Sequence, residues 1–335
     1  MAGQMIVVGF TGDDVDDRGV ASARAEIAEG LLGGVMFLKT NVASLAAVRK
    51  MNAAFRAASP DLPPFITLDQ EGGMVERLTE AVGFPETPNA AVIGKGSPTE
   101  ARRLYGKMAR GIAEQGFTVN FGPVVDLNRN PNNQVIAKFG RAYGVDAATV
   151  ATFAAQFVAA HHDAGLLTAL KHFPGHGSST ADSHEGFVDI TQSWSATELD
   201  PYGALIAEGL VDMIMVGHLY HAEFAGKGGL KLPSSLSPEW IGGVLRGKLG
   251  FAGVVITDDL EMGAIREHYS LEETVIRAVT AGVDVLLFSN TAKSRPSLAA
   301  EVRAILVARA EADPGFRKRI EQSYRRIVAL RQTIQ

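Results

Sequence analysis

The chain has 335 residues, 46% hydrophobic and 21% charged, with a formal net charge of −5. That balance belongs to a globular protein with ample sequence for a core, and the acidic excess excludes the basic face that nucleic-acid binding requires. With no cysteine, disulfides, thiolate nucleophiles and thiolate metal sites are excluded, and no run of about 18 apolar residues exists to span a membrane.

The opening MAGQMIVVGF lacks the basic-then-apolar plan of a signal peptide. A cytoplasmic location is expected, with an exported form whose leader is missing left open. Short β-rich runs then follow in order: Met5–Phe10, Gly34–Leu38, Pro64–Asp69, Thr118–Leu127, Leu167–Phe173, Met213–Leu219, Val254–Asp258 and Val283–Asn290. Each is apolar on both faces and too short for a helix, as buried parallel strands are. Between them lie alanine-rich amphipathic stretches such as Ser44–Ala58, Pro98–Gln115, Ala147–Ala164 and Ala196–Glu208.

Eight strands alternating with helices predict an α/β fold, a single-domain (β/α)8 TIM-type barrel over residues 1–335. Two further helices, about 297–335, are expected to pack across its bottom. An open doubly wound sheet would need a phosphate-binding glycine fingerprint after the first strand. The GFTGDD there is not one.

The active site of such a barrel is built at the strand ends. Here the runs stop on Asp69, Asp126, Lys171 with His172, His218, Asp258 with Asp259, and Asn290. A lone aspartate there is commonly a helix cap, but six successive polar endings converge on one pocket. The fifth run continues into KHFPGHGSSTADSHEGF, Lys171–Phe187. Pro174, Gly175 and Gly177 forbid a helix, so His172 and His176 cannot form the metal-binding pair of a zincin helix. Asp182 stands two residues before His184, a spacing that lets the carboxylate orient the ring and raise its basicity.

These residues carry a resemblance. KHFPGHG followed by DSH, DQEGG at Asp69–Gly73 and VVITDDLEMGAI at Val254–Ile265 resemble the β-N-acetylhexosaminidases of glycoside hydrolase family 3. The likeness continues through FGPVVDLN, ELDPY, LSPEWIGGVLRGKLGFAGVVITDD and AGVDVLL, in family order and over nearly the whole chain. It implies a single-domain, His/Asp-dyad enzyme of the retaining kind, working without a cofactor. Asp258 would be the nucleophile, His184 the acid/base and Asp182 the group that orients it. Asp69, Arg77, Arg141, Lys171 and His172 would bind the sugar, and His218 would line the pocket. Asp259 is expected to support the turn, and Asp126 either to touch substrate or to hold the next loop. The stretch AKFGRAYG departs from the family wording, so Arg141 rather than Lys138 is taken as the binding arginine. His221–Ala222 also departs from the pattern.

The implied reaction releases terminal β-linked N-acetylglucosamine from small conjugates, peptidoglycan-recycling fragments or chitin oligomers, by a monomer with no nucleic-acid or membrane partner. A phosphorylase could use the same residues, since a neutral His lets phosphate approach. Another exo-β-glycosidase, a metal-dependent hydrolase using His172, His176, His184 and His218, and a non-catalytic sugar-binding protein complete the alternatives. Without substrate, the dyad loop is expected to swing on a mobile neck at Pro174–Thr180 and to sit away from Asp258.

Overall fold

The computed structural model describes residues 1–226, 231–291 and 294–334. Eight parallel strands run Ile6–Gly9, Gly34–Met36, Phe65–Leu68, Val119–Asn120, Leu167–Phe173, Met213–Val216, Val254–Thr257 and Leu286–Phe288. They pair in sequence order from first to seventh, the eighth pairs with the first, and a bridge between Ile256 and Val285 joins the remaining gap. The result is the expected (β/α)8 barrel. All the residues of these strands are buried, which is why the runs read as continuously apolar.

A helix follows each strand, and local chemistry starts several of them. Ser44, Ser97 and Asp146 accept the backbone N–H three residues on, at the heads of Leu45–Ala57, Pro98–Glu114 and Ala147–Asp163. Ser270 and Glu273 cap each other reciprocally at Leu271–Ala281. The segment after the sixth strand, Glu239–Lys248, is π-helical.

The tail departs from expectation in one respect. Leu298–Ala312 packs between Leu271–Ala281 and the first strand, so it is the eighth wall helix. Only Pro314–Arg331 crosses the strand N-terminal end, where buried Arg331 donates to the carbonyls of Leu62 and Pro63 and to Gln4. The expected tail reached Gln335, which lies outside the described residues.

The fourth strand is also shorter than its run. Its ladder ends at Asn120, because Gly122 and Pro123 interrupt it and proline has no N–H to donate. Past Asn120 the chain stays tied to the barrel by single bonds, Phe121 N–H to the Leu68 carbonyl and Ala169 N–H to the Gly122 carbonyl, and then by the bridge from Val124 to Lys171. Asp126 therefore approaches the fifth strand from a loop.

Candidate active site

The strand C-terminal ends surround a cavity of about 310 Å³, lined by Asp69, Glu71, Arg77, Arg141, Lys171, His172, His176, Asp182, His184, Asp258 and Asp259, among others. Met36, Leu38, Val75, Val135, Phe139, Met215 and Leu287 give it apolar surface. The mixture of an apolar wall with a few fixed polar groups suits a small ligand.

One side of the floor is a charge network. Lys171, 2% exposed, places Nζ 2.7 Å from Asp69 Oδ1 and 2.7 Å from Glu71 Oε1. Arg77 Nη2 donates to Asp69 Oδ2 at 2.7 Å. Arg141 grips Glu71 with two bonds of 2.8 Å and reaches His172 Nε2 at 3.2 Å. Burial raises both carboxyls, but Lys171 with Arg77 at Asp69, and Arg141 with Lys171 at Glu71, outweigh it and hold each below the usual carboxylate range. Three cations against two anions leave donors in excess around the cavity.

His172 is fixed at both nitrogens. Since arginine can only donate, Nε2 accepts from Arg141 and Nδ1–H donates to Asp126 Oδ2 at 2.7 Å. Asp126 also accepts the backbone N–H groups of His172 and, at 2.7 Å, of His176. It is a brace for the start of the fifth loop, which decides the alternative left open by the sequence.

Across the cavity lies Asp258. Burial raises its carboxyl, yet the imidazoles of His172, His218 and His184 and the N–H of Asp259 overcome this and hold it at about 2. Asp259 Oδ1 accepts the N–H groups of Glu261 and Ser289, fastening the seventh loop to the eighth. His218 differs from expectation. Its Nε2–H donates to the Asp259 carbonyl at 2.9 Å and Nδ1 meets Ser235 Oγ at 2.8 Å, so no ring nitrogen is left for a sugar.

The fifth loop carries the remaining groups. His184, with a side chain 66% exposed, lines the cavity and bonds through Nδ1 to Asp182 Oδ1 at 2.8 Å, which leaves Nε2 free of that bond. The expected mobile neck is instead buried from Pro174 to Ser179. Asn133 Nδ2 donates to the carbonyls of His176 and Ser179, and Asn130 Nδ2 to that of Ser179. The tip is docked as well: Gly263 N–H donates to the His184 carbonyl and Ala264 N–H to that of Ser183, on the segment that follows Asp258.

Residues 2–330 match the glycosyl hydrolase family 3 N terminal domain. The chain belongs to glycosyl hydrolase family 3. A beta-hexosaminidase of Stenotrophomonas maltophilia is 35% identical over 293 residues, 84% of this chain and 82% of that protein. One from Xanthomonas oryzae is 33% identical, over 89% and 85% respectively. Among solved structures, a family 3 beta-N-acetylglucosaminidase from Paenibacillus superposes with a TM-score of 0.88 at 35% identity, covering 99% of this chain and 61% of that one. A beta-N-acetylhexosaminidase from Beutenbergia cavernae gives 0.86 at 29%, covering 99% and 97%. The protein is thus a glycoside hydrolase.

Within this family 3 barrel, the structure brings Asp69, Arg77, Arg141, Lys171, His172, Asp182, His184 and Asp258 to one cavity and leaves Lys138 stacked over Phe139, off its wall. The sequence did not single out Glu71, although it lies in the DQEGG stretch. The next two residues, Gly72 and Gly73, are at positive φ, Gly72 against the Thr87 and Pro88 carbonyls and Gly73 against Asn89. Among the described residues, no three His, Asp or Glu side chains form a metal-holding group.

Proposed function

We propose that this glycoside hydrolase is a retaining exo-β-N-acetylglucosaminidase that releases terminal β-linked N-acetylglucosamine from small conjugates, either peptidoglycan-derived fragments or chitin oligomers. The observation that carries the reading is the pairing, on one small cavity, of a half-buried carboxylate held ionised (Asp258) with an imidazole whose far nitrogen is tied to a carboxylate (His184 on Asp182). The names of the relatives supply the sugar.

In the first step Asp258 attacks the anomeric carbon and the glycosidic bond breaks. The Nε2–H of protonated His184 passes its proton to the departing oxygen, and Asp182 stabilises the imidazolium. In the second step, neutral His184 takes a proton from water, whose oxygen displaces Asp258 with a second inversion. Asp69, Arg77, Arg141, Lys171 and His172 would hold the ring hydroxyls and the acetamido group.

The test is turnover of an aryl β-N-acetylglucosaminide by Asp258→Asn. A fall of at least roughly a thousandfold is expected for loss of the nucleophile; retention within tenfold would sink the proposal. Running the parent with and without phosphate, and identifying the sugar product, separates hydrolysis from phosphorolysis.

A further inference from the structure

Glu198 has no place on the cavity wall, yet it is a buried titratable group directly beneath the root of the dyad loop. It lies in the turn Ala196–Leu199 that leads into the helix Asp200–Ala207, and it is 1% exposed. Its Oε2 accepts the Gly177 N–H at 3.2 Å, while Oε1 is buried with no partner. The contact is close: Gly175 adopts φ +123°, and a Cβ there would fall 2.6 Å from Glu198 Oε2. Only glycine lets the loop lie down on this carboxyl. One turn away, Trp194 Nε1 donates to the Pro174 carbonyl at 3.0 Å, so an indole is fastened to the same loop root.

We propose that Glu198 is a positioning residue for the acid/base loop, its ionised carboxylate gripping the backbone at Gly177 and its protonated form loosening that grip. The step rests on His184 being the acid/base. A charged acceptor makes a markedly stronger hydrogen bond than a neutral one, so the hold on Gly177 follows the charge of Glu198. Groups facing it are Asp126 and Arg129 from the fourth loop, Ser178 and the Gly177 N–H from the fifth, and Tyr202 on the helix that follows. Beyond Asp126 stand His172 and His176, both bonded to it. Burial is the main influence and raises the carboxyl, with Asp126 adding to it; Ser178, Gly177 and Arg129 oppose, and the result is about 7. The grip therefore changes within the pH range where such an enzyme is assayed.

Trp194 makes the event visible without an activity assay. Tryptophan fluorescence, from Trp194 and from Trp240 packed 5.1 Å from it, followed from about pH 5 to about pH 9, should show a transition centred near neutrality that is absent from Glu198→Gln. His221, whose ring lies 5.5 Å from Trp194, is lowered from its ordinary value by burial. Its own transition would fall on the acid side and survive in the variant. Glu198→Gln should also lose roughly tenfold in kcat on an unactivated disaccharide, as a small displacement of the acid would cause, with KM and the rate on an activated aryl glycoside little changed. A neutral-pH transition that persists in Glu198→Gln overturns the proposal. So does its absence from the parent, a result that needs no variant to fold. His184→Ala keeps the two readings apart: equal losses on both substrates would remove the acid/base reading, whereas the fluorescence result stands or falls with Glu198 alone.

Discussion

Gly263 lies directly under the carbonyl of His184: its N–H donates to that oxygen at 3.3 Å, and a Cβ at 263 would sit 2.8 Å from it. The segment that carries the nucleophile candidate thereby docks the tip that carries the acid/base candidate. Asp258 and His184 are set relative to each other by this backbone contact.

Gly263→Ala should therefore push the tip away while leaving Asp258 in place. Hydrolysis of a poor leaving group, which needs the proton, is expected to fall by up to about a hundredfold. An activated aryl glycoside should be far less affected. A Brønsted plot of rate against leaving-group pKa is the measurement, and an unchanged slope would refute the docking role.

Glu71 neutralises two cations at once, Arg141 and the almost fully buried Lys171. Glu71→Gln keeps the shape but leaves an uncompensated positive charge in a low-dielectric site. Removing one partner of a buried ion pair costs about 3–5 kcal/mol. Chemical denaturation should show a loss of that order, and KM should rise because Arg141 loses its anchor. Wild-type stability and KM would show that Asp69 alone balances both cations.

Asp284 offers a control at the opposite end of the barrel. Fully buried ahead of the eighth strand, it accepts from Arg246, Arg319, Arg326 and Ser323 and from the Val255 N–H. Asp284→Ala strands three partly buried guanidiniums and should destabilise by about 3–5 kcal/mol. The kcat/KM of the folded fraction should be unaltered, because the site stands at the other strand ends. A specific loss of kcat/KM at full stability would contradict this.

The barrel was legible because strands buried on both faces leave an unbroken apolar signature, and the dyad because Asp182 and His184 are neighbours in sequence. What was hidden depends on contacts distant in the chain. Nothing near Glu71 announces Arg141, 70 residues away. Nothing near His218 announces that Ser235 and the Asp259 carbonyl occupy its nitrogens. The fourth run was read as one strand through Leu127 because its hydrophobicity continues past Pro123, where the ladder cannot. The neck at Pro174–Thr180 looked mobile because glycine and serine suit a loose loop. In three dimensions they are the residues small enough to pack under Asn130, Asn133 and Glu198.

Glu198 also makes a prediction for stability, with a definite sign. Its folded pKa, about 7, lies above the ordinary glutamate value of 4.5, so between these values the native state binds more protons than the unfolded chain. Stability contributed by the protonated form is complete below about 4.5 and is lost as pH rises through about 7. The raised value corresponds to roughly 3 kcal/mol. Glu198→Gln carries no such charge, so relative to the parent it should gain about that much between about pH 5 and about pH 8. Urea denaturation of both proteins at the two pH values measures it. A parent-to-variant difference that does not change with pH would mean that the Glu198 carboxyl is already ionised across the whole range.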